Sequence, residues 1–279
     1  GAGGWFVGGS FTDIEGVPCN NIAHILPDKT FDTAWTPGTN GIVRVIKLGP
    51  GSTLYIGGAF TTVGLVPRNR IAALDATTGS VLSWDPNADD VVFDIWPTST
   101  TVYVGGAFTS IGGTTRGYFA AIDAVTGLAT SLNLPADLWV TSLFLDGGTL
   151  YLGGSFALVN GTPRARLAAI DLTGSTLTSW APTVDLPVQD ILVTEGVAYI
   201  AGAFQTVNGA ARSHFAAIST STGDTLPLTC NANDSVVALA LSGETLFLGG
   251  YFTQINSQGR RSLAAVDLVS NTLSSWQAD

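Results

Sequence analysis

The sequence predicts an all-β chain, folded as a six-bladed β-propeller of four-stranded antiparallel blades. One segment occurs six times, with a first step of 49 residues and later steps of 48. Each copy contains four short apolar runs, and no window shows the 3.6-residue periodicity of an amphipathic helix. A repeat of this length made of four short strands is typical of a propeller blade. The copies align at Phe6, Tyr55, Tyr103, Tyr151, Tyr199 and Phe247.

We name the four predicted strands of a copy inner, second, third and outer. The second strand runs from the aromatic residue through Gly-Gly to a phenylalanine, and dipeptides such as Asn160-Gly161 then supply the positive φ of a tight reversal. The third strand ends in a motif such as Ala-Ala-Ile-Asp, and the outer strand leads to a tryptophan in most copies. A valine marks the inner strand: Val43, Val92, Val140, Val188 and Val236. The reversal before the outer strand is placed at Gly79, Gly127, Gly174, Gly223 and Asn271.

The copies occupy the chain as a single propeller domain, 1–279. The main alternative is a linear solenoid, which would expose flat strand edges at both ends, and no polar capping sequence appears at either terminus. Only Gly-Ala-Gly-Gly precedes Trp5, so the first copy lacks an inner strand. That blade is either incomplete or takes its inner strand from outside this chain. The approximate copy boundaries are 1–37, 38–86, 87–134, 135–182, 183–230 and 231–279.

Composition and charge restrict the partners. Charged residues make up 11% of the chain and hydrophobic residues 46%, which packed sheets explain. No apolar run approaches the roughly 20 residues of a spanning helix, so we expect no membrane insertion. The net charge of −10 argues against nucleic acid and anionic lipid as partners. The chain has no methionine and begins inside a repeat, so either a leader was removed or it is a segment of a longer protein.

Four features of the repeat resemble a known family. They are Gly-Gly-Ala-Phe-Thr, an arginine ten residues beyond the second glycine, Ala-Ala-Leu-Asp, and a closing Trp-Asp-Pro. Together they resemble the delta-60 repeat, a β-propeller repeat of large secreted or surface-anchored bacterial proteins. The stretch AALDATTGSVLSW is also similar to the blade motif of quinoprotein dehydrogenases. Kelch and WD-type repeats share the Gly-Gly pair or the tryptophan, but not the whole combination. The resemblance implies the fold and an extracellular or cell-surface setting, but no specific ligand.

Arginine and aspartate each hold one position in most copies, seven residues apart. Seven strand residues span roughly 23 Å, so an arginine cannot pair with the aspartate of its own copy. We expect each arginine to donate to loop carbonyls or stack on a tryptophan, and each aspartate to cap the turn after it. The arginines are Arg68, Arg116, Arg164, Arg212 and Arg260, and the aspartates are Asp75, Asp123, Asp171 and Asp267.

A ring of Asx residues is the candidate metal site. Each of these residues stands just before an inner strand, where a propeller brings the blades close to the mouth of its channel. Carboxylate and amide oxygens suit Ca²⁺, which takes six to eight oxygen ligands. The alternative is simple turn capping before a strand. The ring comprises Asn40, Asp89, Asp137, Asp185 and Asn233. No other cofactor is expected.

Cys19 and Cys230 are the only cysteines, and in an apparently exported chain they are a candidate disulfide pair. The propeller topology puts both on one face, within about one blade of each other after ring closure. Closing so long a loop would contribute roughly 4–5 kcal/mol, but a Cα separation beyond about 7 Å forbids the bond. The alternatives are two buried thiols, or a cysteine paired outside this chain.

Trp5, Trp96 and Trp139 lie outside the tryptophan position of the repeat. Core filling is the favoured interpretation, and carbohydrate stacking is the alternative. The sequence carries no catalytic motif of the nucleophile or metalloprotease type.

Three functions are compatible with these observations. The favoured one is a non-catalytic extracellular scaffold or binding module, part of a larger protein, that binds a protein or a glycan at the cell surface. The second is a quinoprotein-like enzyme, which six copies disfavour. The third is a structural spacer in a longer array.

Overall fold

The computed structural model describes residues 3–228 and 230–276, which lie almost entirely in short β-strands and the turns between them. The one helical element among them is a 3₁₀ turn at Pro50–Ser52. The chain divides into two compact units, Gly1–Pro135 and Ala136–Asp279. Copies one to three lie in the first unit and copies four to six in the second.

The sheets confirm the predicted inner, second and third strands, which pair in that order and antiparallel. Every inner strand begins at the predicted valine. The inner strands are Val43–Leu48, Val92–Pro97, Val140–Asp146, Val188–Thr194 and Val236–Ser242. The second strands are Trp5–Gly8, Thr53–Gly58, Thr101–Gly106, Thr149–Gly154, Val197–Gly202 and Thr245–Gly250. The third strands are Ile22–Ile25, Ile71–Asp75, Phe119–Asp123, Leu167–Asp171, Phe215–Ser219 and Leu263–Asp267.

The outer strand is much shorter than predicted. It spans two residues in copies four and six, at Thr176–Leu177 and Thr272–Leu273. In the other copies a single bridge residue pairs with the third strand: Phe31, Val81, Ala129 and Thr225. In four copies an arginine side chain binds the next outer-strand carbonyl, as described below.

A two-stranded ribbon between the second and third strands was not predicted. The dipeptides assigned to a direct reversal do have positive φ, 48° and 72° at Asn160 and Gly161, but they close this ribbon instead. The ribbon strands are Asp13–Ile14 with Val17–Pro18, Thr62–Val63 with Val66–Pro67, Ser110–Ile111 with Thr114–Thr115, Leu158–Val159 with Thr162–Pro163, Thr206–Val207 with Ala210–Ala211, and Gln254–Ile255 with Gln258–Gly259.

The Gly-Gly pair lets neighbouring sheets approach closely. A Cβ on Gly57 would lie 2.6 Å from Val92 Cγ1 of the next copy, and one on Gly153 would lie 2.9 Å from Val188 Cγ1. A Cβ on the second glycine, Gly58, would overlap the carbonyl oxygen of the link that enters the inner strand. The register of that strand shifts at a bulge just after its first valine in all five copies. Within each unit the sheets thus pack face to face around apolar cores.

One predicted reversal is displaced by a residue. Gly79, Gly127 and Gly223 have the expected positive φ, and so has Asn271 at 54°. In copy four the positive φ of 53° falls on Ser175, because its turn places the glycine one position earlier than in the other copies.

Candidate functional site

The repeated arginines bind the backbone of their own copies. In all five, one terminal nitrogen donates to the carbonyl of the preceding residue at 2.8–2.9 Å. In four, the other donates at 2.7–2.9 Å to an outer-strand carbonyl 14 residues later. Arg68 also lies 3.6 Å from the Asp85 carboxylate. The fork of the guanidinium thus holds the outer strand to the ribbon. The four with both bonds are Arg68, Arg116, Arg164 and Arg260.

The repeated aspartates cap the turns that follow them. Oδ1 of Asp75 accepts the backbone N–H groups of Thr77 and Thr78 and the Thr78 hydroxyl. The same pattern holds at Asp123, and backbone N–H groups also reach Asp171 and Asp267. Asx turns of this kind favour the ionised carboxylate. Hydrogen bonds from Thr78 and then Thr77 therefore hold the pKa of Asp75 below its ordinary value, and the pKa values of Asp123 and Asp267 are lowered in the same way.

We expect these turns to lose stability in acid. A carboxylate whose pKa is lower in the folded than in the unfolded chain stabilises the fold above its unfolded pKa, here 3.8. That contribution disappears as the pH falls from 3.8 through the lower folded pKa. Urea midpoints should therefore fall below about pH 4. Replacing Asp75, Asp123 and Asp267 by asparagine, which caps without titrating, should make this fall shallower. An unchanged pH profile in the triple variant would contradict the assignment.

The Asx residues tie each inter-copy link to a ribbon. In every one, Oδ1 accepts two consecutive backbone N–H groups at the start of the ribbon, at 2.8–3.0 Å. Burial raises the pKa of Asp89, but bonds from Thr109 and Ser110 outweigh it, so that the pKa is lowered. The Oδ1 atoms of all five residues are thus engaged in turn capping, and the calcium site stays a prediction. Within residues 3–228 and 230–276, no group of three or more acidic, histidine or cysteine side chains is arranged to hold a metal ion.

A partly buried polar network at the bulge joins three inner strands of the second unit. Asp190 Oδ1 accepts the Ser142 hydroxyl at 3.0 Å and the Ile191 N–H at 2.8 Å, and Oδ2 accepts the Leu239 N–H at 2.7 Å. In the first unit, Asp94 at the same position lies 3.8 Å from Lys47 Nζ on the preceding inner strand. The shared position of the two aspartates was visible in the sequence, but the contacts between copies were not.

Two of the three unassigned tryptophans do not fill a core within their own unit. Trp5 is 54% exposed and Trp139 is 46% exposed. Trp96 is partly buried, with Lys47 Nζ 5.1 Å from its ring centroid. Trp139 follows the exposed Leu138 in the link to copy four, and Leu186 is exposed in the link to copy five. We call Leu138, Trp139 and Leu186 the link patch. The hydrogen bonds that Asp137 and Asp185 accept hold these two links at the edge of the sheets where the ribbons lie.

The candidate disulfide between Cys19 and Cys230 is not formed in this structure, where both cysteines are free and buried. The N–H of Cys19 donates to the Thr12 carbonyl at 3.0 Å, as the equivalent Arg68 donates to Thr61. Cys230 packs in the apolar core of the second unit. Burial raises the pKa of Cys19 and raises that of Cys230 to about 11. Both shifts favour the protonated thiol at neutral pH.

Comparisons with known proteins confirm the likeness to β-propeller repeats. The model of a family described as a domain of unknown function, DUF5122, beta-propeller, matches residues 3–34. The search of curated proteins finds no match. Among solved structures, the computationally designed protein Ika8 has a TM-score of 0.56 at 16% identity over 90% of this chain. The WD40 domain of Neurospora crassa Pan2 has a TM-score of 0.56 at 10% identity over 84%.

A third neighbour is the extracellular domain of a putative one-component system of B. thetaiotaomicron, with a TM-score of 0.53 at 14% identity over 84% of this chain. At these identities the likeness concerns the fold. This chain spans 66%, 65% and 27% of the lengths of the three neighbours. Within the described part of the chain, no helix has the length and apolar character needed to cross a membrane.

Proposed function

We propose that this chain is a non-catalytic β-propeller module of a secreted or cell-surface bacterial protein, and that it binds a protein or a glycan through the link patch. Its repeated polar side chains are bonded to the backbone of their own copies, which supports an architectural role for them. The extracellular setting of one structural neighbour and the delta-60-like motifs support the location.

The observation that carries the proposal is the exposure of Leu138, Trp139 and Leu186 at one edge of the second unit. Tryptophan contributes a large apolar face to protein interfaces and also stacks on sugar rings, and exposed apolar residues that cluster mark interaction sites. The copies differ here, since the equivalent link positions in copy three are Asp90 and Val91. A binding site needs such a departure from the repeat.

We expect Trp139→Ala to weaken binding strongly. The labelled chain is screened against a glycan array and, separately, a displayed peptide library, so that the two ligand classes are distinguished. Truncating an interface tryptophan costs about 2 kcal/mol or more, so affinity should fall roughly 30-fold. Val125→Ala is the matched control, because Val125 is exposed on a turn at the opposite edge of its sheet. Ligands whose affinity is the same for Trp139→Ala and the wild type would contradict the proposal.

The six-bladed ring is also part of this proposal. In the first unit Trp5 is exposed, whereas Leu54 at its position in copy two is fully buried. In the second unit Leu263 is exposed, whereas Phe215 at its position in copy five is fully buried. A ring of six blades would bury both faces. In the spacer alternative, further copies of the repeat would cover these two faces. This alternative is favoured by the sheet of copy one, where the second strand pairs only with the third strand in the part of the chain described.

A further inference from the structure

One position of the repeat alternates between tryptophan and leucine. It lies nine residues after the last residue of the third strand in copies two to six, and ten residues after it in copy one. Copies one, two, four and six carry tryptophan there, and copies three and five carry leucine: Trp35, Trp84, Leu132, Trp180, Leu228 and Trp276. The four tryptophans show what this position accommodates.

Each of these indoles packs against the aromatic residue of its own second strand. Trp84 and Trp180 meet Tyr55 and Tyr151 edge to face, with ring centroids 5.1 and 5.3 Å apart. The pairs in copies one and six lie at 5.1 and 5.3 Å. Two indoles also donate to the carbonyl oxygen of the residue that ends the third strand of the next copy. Trp84 Nε1 donates to the Asp123 carbonyl at 3.0 Å, and Trp180 Nε1 donates to the Ser219 carbonyl at 2.9 Å.

The turn residue of the next copy follows this alternation. Gly79, Gly127 and Gly223 follow copies with tryptophan, whereas Ser175 and Asn271 follow copies with leucine. A Cβ on Gly79 would lie 3.3 Å from Trp35 Nε1, and one on Gly223 would lie 3.8 Å from Trp180 Cδ1. The glycines therefore leave room for the indole. Where Leu228 and Asn271 occupy these two positions, the repeat provides no indole.

A cleft of about 300 Å³ opens at that place, between copies five and six of the second unit. Its lining includes Leu228, Asn271 and Tyr199, together with Glu195 and Leu268. Tyr199 is the residue that would meet the indole edge to face, and it stacks instead on Phe215 at 6.3 Å. The volume is at the lower end of the range for small-ligand pockets, so one ring system is the fitting occupant.

We infer that this cleft binds one planar aromatic ring with an N–H donor, an indole or a close relative. The ring would pack edge-on to Tyr199, and its N–H would donate to the carbonyl oxygen of Asp267, which ends the third strand of copy six. That oxygen corresponds to the acceptors of Trp84 and Trp180. The Asn271 amide and the Glu195 carboxylate offer further polar contacts at the mouth. This inference is independent of the proposed function, since the cleft lies at the turn edge of the sheets, opposite the link patch.

Titration calorimetry on the full chain tests it with indole, 1-methylindole and N-acetyltryptophanamide. Indole should bind saturably, and 1-methylindole about fivefold more weakly because it lacks the donor. Binding of N-acetyltryptophanamide at least as tight as that of indole identifies a tryptophan side chain as the natural occupant, and weaker binding identifies a free ring; both support the cleft. Equal affinity for indole and 1-methylindole, or no saturable heat with indole, overturns the inference.

The double variant Leu228→Trp with Asn271→Gly restores the tryptophan and glycine pair. It should abolish indole binding and raise the melting temperature. The matched control, Leu132→Trp with Ser175→Gly, makes the same exchange at the other leucine copy and should bind indole as the wild type does. Indole binding that persists in the folded double variant overturns the inference. If that variant does not fold, the comparison of indole with 1-methylindole on the wild type remains decisive. Trp139→Ala should bind indole normally, so failure of the link patch and failure of the cleft are distinguishable.

Discussion

Replacing Asp190 by alanine should lower the free energy of unfolding by about 2–4 kcal/mol, because it removes an acceptor shared by three donors, of which only the Ile191 N–H keeps another partner, Ser142 Oγ at 3.1 Å. The donors are the Ser142 hydroxyl and the backbone N–H groups of Ile191 and Leu239. They belong to three adjacent inner strands, so the loss affects packing between copies and not one sheet alone. Domains are typically stable by only about 5–15 kcal/mol, so a large part of the total would disappear.

Urea unfolding followed by tryptophan fluorescence measures this loss. Asp190→Asn keeps the shape but offers one acceptor oxygen, so its loss should be intermediate. Asp224→Ala is the control in the same copy, since Asp224 is exposed, and it should change stability by less than about 0.5 kcal/mol. If Asp190→Ala were no more damaging than Asp224→Ala, the network would not hold the inner strands together.

Trp180→Ala should be comparably damaging, at about 3–5 kcal/mol. The indole of Trp180 is buried, packs edge-on to Tyr151 and donates to the Ser219 carbonyl of the next copy. Removing it leaves a cavity between two sheets, and the Ser219 carbonyl then keeps only the Gly223 N–H as a donor. Trp180→Leu should cost less, because copies three and five already carry leucine at this position.

Trp139→Ala is the matched control for this second prediction, because Trp139 is about half exposed. Its stability loss should stay below about 1 kcal/mol. Thermal and urea unfolding of the two variants side by side provide the comparison. Equal losses from Trp180→Ala and Trp139→Ala would mean that burial, and hence the repeat position, does not determine the role of these tryptophans.

The sequence was sufficient for the three long strands of each sheet because their signals are local. Apolar runs, the valine that starts each inner strand and the glycines with positive φ all act within a few residues. The caps at Asp75 and Asp123 were predictable for the same reason, since an Asx turn closes over two or three residues.

The features that the sequence did not predict depend on contacts between distant residues. The ribbon is held by Asx side chains about 20 residues away, and the outer-strand carbonyls are bound by Arg116 and its equivalents 14 residues earlier in the chain. The constant spacing of both pairs was a signal that could have been used. The coupling of tryptophan in one copy to glycine in the next, as between Trp35 and Gly79, was another, but its meaning appears only when neighbouring sheets are packed together.

A crystal structure of the chain grown with calcium chloride tests the central claim most directly: the copies are propeller blades whose repeated polar residues serve the fold. We expect the inner, second and third strands of each copy to form a blade around a common axis. Oδ1 of Asn40, Asp89, Asp137, Asp185 and Asn233 should be bonded to ribbon N–H groups, with no calcium bound to them. Copies stacked in a linear array, or a calcium ion held by these oxygens, would contradict it.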